Sequence, residues 1–398
     1  MIPRLRPVQI PEDETHDVSV ALRHARGAFG LEGESPTNFL KTLVRHPPAV
    51  VGLAPLACYI IRQSSVPAFD QRLLGLRVAW LCQSQVIWAE QTAAARAVGL
   101  GDFEFKRLAH GPGAEWDGQG SAVLRAADEI YSQSCVTDAT WTTLEAGYST
   151  RQIIDIIFTV AEYLMLSMLA NSFAIQPDAR FTDASVPVTA LGRRGRPERG
   201  RPRRLTVARL DPVPPEDRTL DQCALLDPGG TGQPVINLFA TLVRFPDLYK
   251  ARAAQSTYIR TASTLSGRVR EMLILRMGWL CESEYEWAQH APIARQEGLS
   301  IDQIRNIILG SNAPAWGQLD SALLRATDEL FRDDTISDAT WTTLAGSYTE
   351  SQLIDVVITV AGYRLVSVVL NSIGVQIEPD TKGWAQYLDS DQARLYSP

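Results

Sequence analysis

Between Glu271 and His290 the chain reads EMLILRMGWLCESEYEWAQH, and this stretch gathers the residues best able to hold or move a proton. Glu271, Glu286 and His290 supply two carboxylates and an imidazole, and His290 is the only histidine after residue 110. Two carboxylates beside one imidazole suit general acid–base chemistry. In that reading His290 shuttles a proton, Glu271 orients or charges it, and Glu286 is a second carboxylate. Ser283, Tyr285 and Trp287 lie between them and are the candidate substrate contacts.

Geometry decides whether these groups can meet. On one unbroken helix, with a rise of about 1.5 Å per residue, Glu271 would sit roughly 28 Å from His290. The sequence offers a break. Ser283 followed by Glu286 matches the S-x-x-E capping box, and Glu284 and Glu286 fall in a first turn that favours negative charge. The pattern predicts a helix over about 267–280, a tight turn at 281–283, and a second helix over about 284–297 ended by Gly298. Packed side by side, the two helices bring Glu271 toward Glu286 and His290, which are i,i+4 neighbours on one face. Neither Glu271 nor His290 is expected to be a core packing residue.

Two plainer readings compete. Glu286 could serve only as a cap, with Glu286–His290 a surface pair worth about 0.2–0.5 kcal/mol; the protein would then bind a small molecule or act as a scaffold. Alternatively, Glu271, Glu286 and His290 could be metal ligands. Zinc sites, however, usually employ more His or Cys than this half contains, so no metal and no cofactor is expected.

The same stretch resembles the carboxymuconolactone decarboxylase and alkylhydroperoxidase (AhpD-like) superfamily. The peroxidase branch carries E-x11-C-x2-C-x3-H; here the glutamate falls on Glu271, the cysteines on Ser283 and Glu286, and the histidine on His290. RVREMLILRMGWLCESEYEWAQH resembles the decarboxylase-like pattern R-E-L-x-I-L-R-x-A-W-L-C-x-x-E-Y-E-W-x-x-H more closely. The resemblance implies an all-α fold and a lyase, isomerase or cyclase acting on a small lactone, aromatic acid or polyketide-like metabolite, a role that suits specialised biosynthesis. A disulfide-cycling peroxidase needs two thiols in reach. Cys281 is a single thiol beside Glu282 and near Glu284, where negative charge raises a thiol's pKa, and its counterpart Cys82 stands in the other half of the chain, so thiol peroxidase chemistry is not expected.

The chain has 398 residues, 45% of them apolar and 21% charged, which is ordinary for a globular protein and long enough for two domains. A net charge of −7 gives no reason to expect nucleic acid or an anionic membrane. Five scattered cysteines suit a reducing cytoplasm. The opening MIPRLRPVQIPEDETHD has no apolar core, so no signal peptide is expected. The most apolar stretch, 353–377, contains Asp355, Arg364 and Asn371 and reads as a buried helix rather than a membrane span.

What positions the candidate site is a unit written twice. NFLKTLVRHP at 38–47 answers NLFATLVRFP at 237–246, RVAWLCQSQVIWAEQ at 77–91 answers RMGWLCESEYEWAQH at 276–290, and DATWTTL at 138–144 recurs at 338–344. Eight of the nine tryptophans fall into pairs, leaving Trp384. Helical spacing runs through both copies, and Ser149/Gln152 and Thr349/Gln352 predict matched capping boxes opening each long last helix. The expected architecture is two tandem AhpD-like helical units forming an intramolecular pseudo-dimer. Residues 1–180 form one unit with a degenerate site, 181–207 an Arg/Pro/Gly-rich linker, and 208–398 a unit with the intact site. Such pseudo-dimers could assemble further into a homo-oligomer. Position for position, Glu271 faces Arg72, Glu286 faces Ile87 and His290 faces Gln91. By analogy with sites shared between identical subunits, Arg72 and Gln91 could line or support the pocket.

Overall fold

The computed structural model describes residues 3–10, 16–29, 35–182, 188–191 and 205–388. Most of the expected linker, at 183–187 and 192–204, lies outside the described residues. Among the described residues every regular element is a helix, and the protein is all-α. In the first half the main helices are α1 (Pro47–Arg62), α2 (Ala68–Leu81), α3 (Gln85–Arg96), α4 (Gly118–Gln133) and α5 (Thr150–Ser172). The second half repeats the order with α6 (Asn237–Leu242), which precedes α7 (Pro246–Thr261), α8 (Gly267–Leu280), α9 (Glu284–Gln296), α10 (Gln318–Asp333) and α11 (Glu350–Ile373).

The long helices α5 and α11 are apolar on all sides, and a helix of that kind must be buried on all sides. They pack along each other at the centre, and α1 packs along α7 beside them. By length and composition both α5 and α11 could cross a membrane, but 94% of each apolar window is buried inside the protein, as in core helices. Both open with the expected capping boxes: Ser149 and Thr349 accept from the third backbone N–H, and Gln152 and Gln352 reach back.

Contacts between the halves come in pairs with roles exchanged. Arg4 binds the carbonyls of Ser172 and Ile336 and reaches Asp338, while Arg209 binds those of Ser372 and Val136 and reaches Asp138. Asn171 caps the Cys82 carbonyl and touches that of Asp334; Asn371 caps the Cys281 carbonyl and touches that of Ser134. Reciprocity of this kind is what an isologous interface produces. Asn371, a polar residue inside the most apolar stretch, is thus used to satisfy the broken end of α8.

Where α1 crosses α7, Gly52 sits directly against Tyr258, leaving no room for even a methyl group on that face. A larger residue must push apart two helices from different halves. Gly52→Leu is therefore expected to destabilise the protein by about 1–3 kcal/mol in denaturant melts; an unchanged midpoint would contradict the close crossing.

Candidate active site

The expected break is present. Helix α8 ends at Leu280, Glu282 takes a left-handed conformation at φ 51°, and α9 starts at Glu284. The turn folds α9 back along α8, so residues 19 apart in sequence come into contact. His290 Nδ1 lies 2.7 Å from Glu271 Oε2, and its Nε2 lies 3.0 Å from Glu286 Oε1. The imidazole is held between the two carboxylates. Tyr363 of α11 meets the ring edge-on, with centroids 4.9 Å apart, and fixes its plane. Behind Glu271, Arg270 approaches the second carboxylate oxygen at 3.3 Å.

These partners set the proton affinity of His290. Burial alone would lower its pKa, but hydrogen bonds and charge from Glu271 and Glu286 outweigh that and push it up to about 10. At neutral pH the resting ring is an imidazolium, with both N–H groups donating to carboxylates. Burial, with help from the same two carboxylates, also holds the Tyr363 hydroxyl protonated well above its usual range.

His290, Glu286 and Tyr285 open onto a cavity of about 90 Å³. Helix α6 and the residue before it roof the cavity with Ile236, Leu238, Phe239 and Leu242; Arg252 and Tyr249 come from α7, and Phe158 comes from the first half. The roof is tied down through Glu378, which accepts from the backbone N–H of Asn237, the Tyr285 hydroxyl and the Gln289 amide. The Tyr285 oxygen in turn accepts from the Leu238 N–H at 3.2 Å.

Several expectations need correction. Ser283 occupies the N-cap position of α9, but its hydroxyl makes no capping bond; it is buried without a hydrogen-bond partner. The capping box fails because Glu286 faces inward to His290 instead of back to the Ser283 N–H. Ser283 and Trp287 are fully buried and do not line the cavity. Trp287 packs edge-on against Trp279 and Tyr387, and Trp384, the unpaired tryptophan, closes the same cluster on Trp279. Tyr285 does line the cavity. Glu271 is only 2% exposed, so the expectation that it stands apart from the core was wrong. Arg72 and Gln91 do not line the cavity either; Arg72 Nη1 donates to Gln91 Oε1 at 3.1 Å, a side-chain pair occupying the equivalent place in the first half. The first half contributes Phe158 instead, which spacing in the sequence did not single out, and neither did it single out Arg252 or Tyr363.

As donors for a metal the three groups are badly arranged, since the carboxylates engage opposite nitrogens of one ring and do not converge on a common point. Among the described residues no cluster of three such side chains is placed to hold a metal ion.

Residues 246–329 match the model of the carboxymuconolactone decarboxylase family. This segment of the chain is similar to that family. The matched segment contains Arg252, Glu271, Glu286 and His290 together, and runs from the start of α7 into α10. A solved structure with some likeness is that of an Agrobacterium tumefaciens protein of unknown function, described as a candidate antioxidant defence protein AhpD. It shares 18% identity at a TM-score of 0.33, over 35% of this chain and 96% of its own. Comparison with curated proteins gives no match.

Cys281, the thiol inside this segment, is fully buried, with its sulfur 3.5 Å from that of Met277. Cys281→Ser is therefore expected to leave turnover largely intact at a small packing cost. An activity loss as deep as that of a His290 variant, measured side by side, would show that the thiol takes part in the chemistry.

Proposed function

We propose that the protein is a cofactor-free acid–base enzyme of the carboxymuconolactone decarboxylase kind, acting on a small, largely apolar metabolite with a lactone or enolisable carbonyl. The observation that carries this reading is the imidazole of His290 held between Glu271 and Glu286 in the wall of an apolar cavity. The two halves act in this reading as a tandem pseudo-dimer, in which only the second has a proton-handling site.

The clamp serves as a store for one proton. While both carboxylates hold it, the imidazolium is too weak an acid to release its proton near pH 7. A substrate oxygen or carbanionic carbon that enters beside Nε2 displaces Glu286 from the ring. Loss of one carboxylate partner lowers the affinity of His290 for its proton, which then moves to the substrate. The released Glu286 carboxylate is free to take a proton from carbon or water. In a decarboxylation the C–C bond to the leaving carboxylate breaks, its electrons form an enolate, and the His290 proton quenches that enolate. In an isomerisation Glu286 removes a proton and His290 returns one. Glu271 stays on Nδ1 throughout and fixes the ring.

The test is to incubate the full chain in D2O with a panel of small lactones, β-keto acids and enolisable ketones and to follow deuterium incorporation or loss of CO2 by NMR. The reading predicts exchange or turnover on at least one class, abolished in His290→Gln. No activity across the panel, or activity undiminished in His290→Gln, would overturn it; retained small-molecule binding without turnover would support the binding-protein reading instead.

A further inference from the structure

Helix α7 brings one cation, Arg252, into the cavity wall, and the proton clamp does not use it. Arg252 lines the cavity along with Glu286, His290 and Tyr363, and Ser256 follows one turn later on the same face. Its Nη1 is buried and has no hydrogen-bond partner. An unpaired guanidinium N–H in such a place is costly and is the kind of donor an anion satisfies.

The acidic groups that act on Arg252 are Tyr363, Glu286 and Glu162, the last coming from the first half on α5. Glu286 is already engaged by His290. Glu162 is 1% exposed, and neither of its carboxyl oxygens has a hydrogen-bond partner. Burial pushes its carboxyl up to about 8 against the opposing pull of Arg252. Burial also works against the charge of Arg252 and lowers its pKa, but a guanidinium remains protonated. Arg270 is paired with Glu271 and Glu297 and does not line the cavity, and His290 is held by Glu271 and Glu286, so among the described residues lining the cavity Arg252 is the cation left with an unpartnered N–H.

We propose that Arg252 is the substrate anchor and that the substrate is a single anion of the carboxylate type. Its charged group is received by Arg252, its carbon skeleton lies against Phe158, Leu238 and Tyr249, and its reacting atoms face His290. This rests on the assignment of the cavity as the reaction site, but it is read out by binding and so is tested apart from turnover.

The experiment compares butanoate with butanamide, which share a shape and differ in charge, by ligand-observed NMR titration of the full chain. The wild-type protein is expected to bind butanoate roughly tenfold or more tightly than butanamide. Arg252→Met, which keeps length and removes charge, is expected to erase that preference, whereas Gln91→Ala, outside the cavity lining, is expected to keep it. Equal binding of the two by the wild-type chain overturns the proposal without any variant having to fold. A preference that survives Arg252→Met, or vanishes in Gln91→Ala, overturns it as well. Charge-selective binding through Arg252 with no proton exchange on the panel above upholds the anchor and removes only the catalytic reading.

Discussion

A His290→Gln variant is expected to lose turnover by roughly 10²–10⁴-fold, the usual worth of a positioned general acid–base group. The substitution keeps a polar side chain of similar reach but removes the imidazole that holds the stored proton. Gln91→Ala is the matched control. Gln91 occupies the equivalent position, pairs with Arg72 at 3.1 Å, and does not line the cavity. Its loss is expected to leave kcat within a small factor. If Gln91→Ala were inactive and His290→Gln active under the same assay, the assignment of the working site to the second half would be wrong.

A second large effect concerns pH. His290 rises from an ordinary 6.5 to about 10 in the folded protein because the two carboxylates favour its charged form. A group whose pKa is raised by folding stabilises the fold fully below its unfolded pKa. That stabilisation is lost as pH climbs through the folded value. The site therefore contributes stability below about pH 6.5 and gives it up progressively toward pH 10. The contribution is on the order of a few kcal/mol, large beside the total stability of most domains. Denaturant melts from pH 6 to 10 are expected to show a downward slope in the wild-type protein that is much shallower in His290→Gln. Glu286→Gln is expected to reduce the slope as well, because it removes one of the two partners that raise the pKa. Equal slopes in all three proteins would mean that the ring is not clamped as an imidazolium.

How much of this was legible in the sequence depended on range. The break at 281–283 could be read from local signals, and the helices begin and end within a residue of their expected limits. Pairing of Glu271 with Glu286 and His290 followed once the two helices were folded back on each other. The capping box at Ser283 was a local signal overridden by tertiary structure. The carboxylate of Glu286 gains more from a buried imidazolium than from a backbone N–H, so the cap was left unmade. Trp287 lies beside Glu286 in sequence, but neighbours on a helix point about 100° apart, and this one faces the tryptophan cluster. Phe158, Arg252 and Tyr363 were missed because each comes from a different helix, and nothing in the spacing along the chain marks residues that only meet across helices.

The protonation state of His290 is the measurement closest to the centre of this account. In 15N-labelled imidazole NMR of the full chain, both ring nitrogens of His290 are expected to be protonated at pH 8 and to titrate together near 10. The signals should move toward the ordinary histidine range in Glu286→Gln. A neutral His290 ring at pH 8, with a single protonated nitrogen and a midpoint near 6.5, would contradict the clamp and with it the proton store on which the proposed chemistry depends.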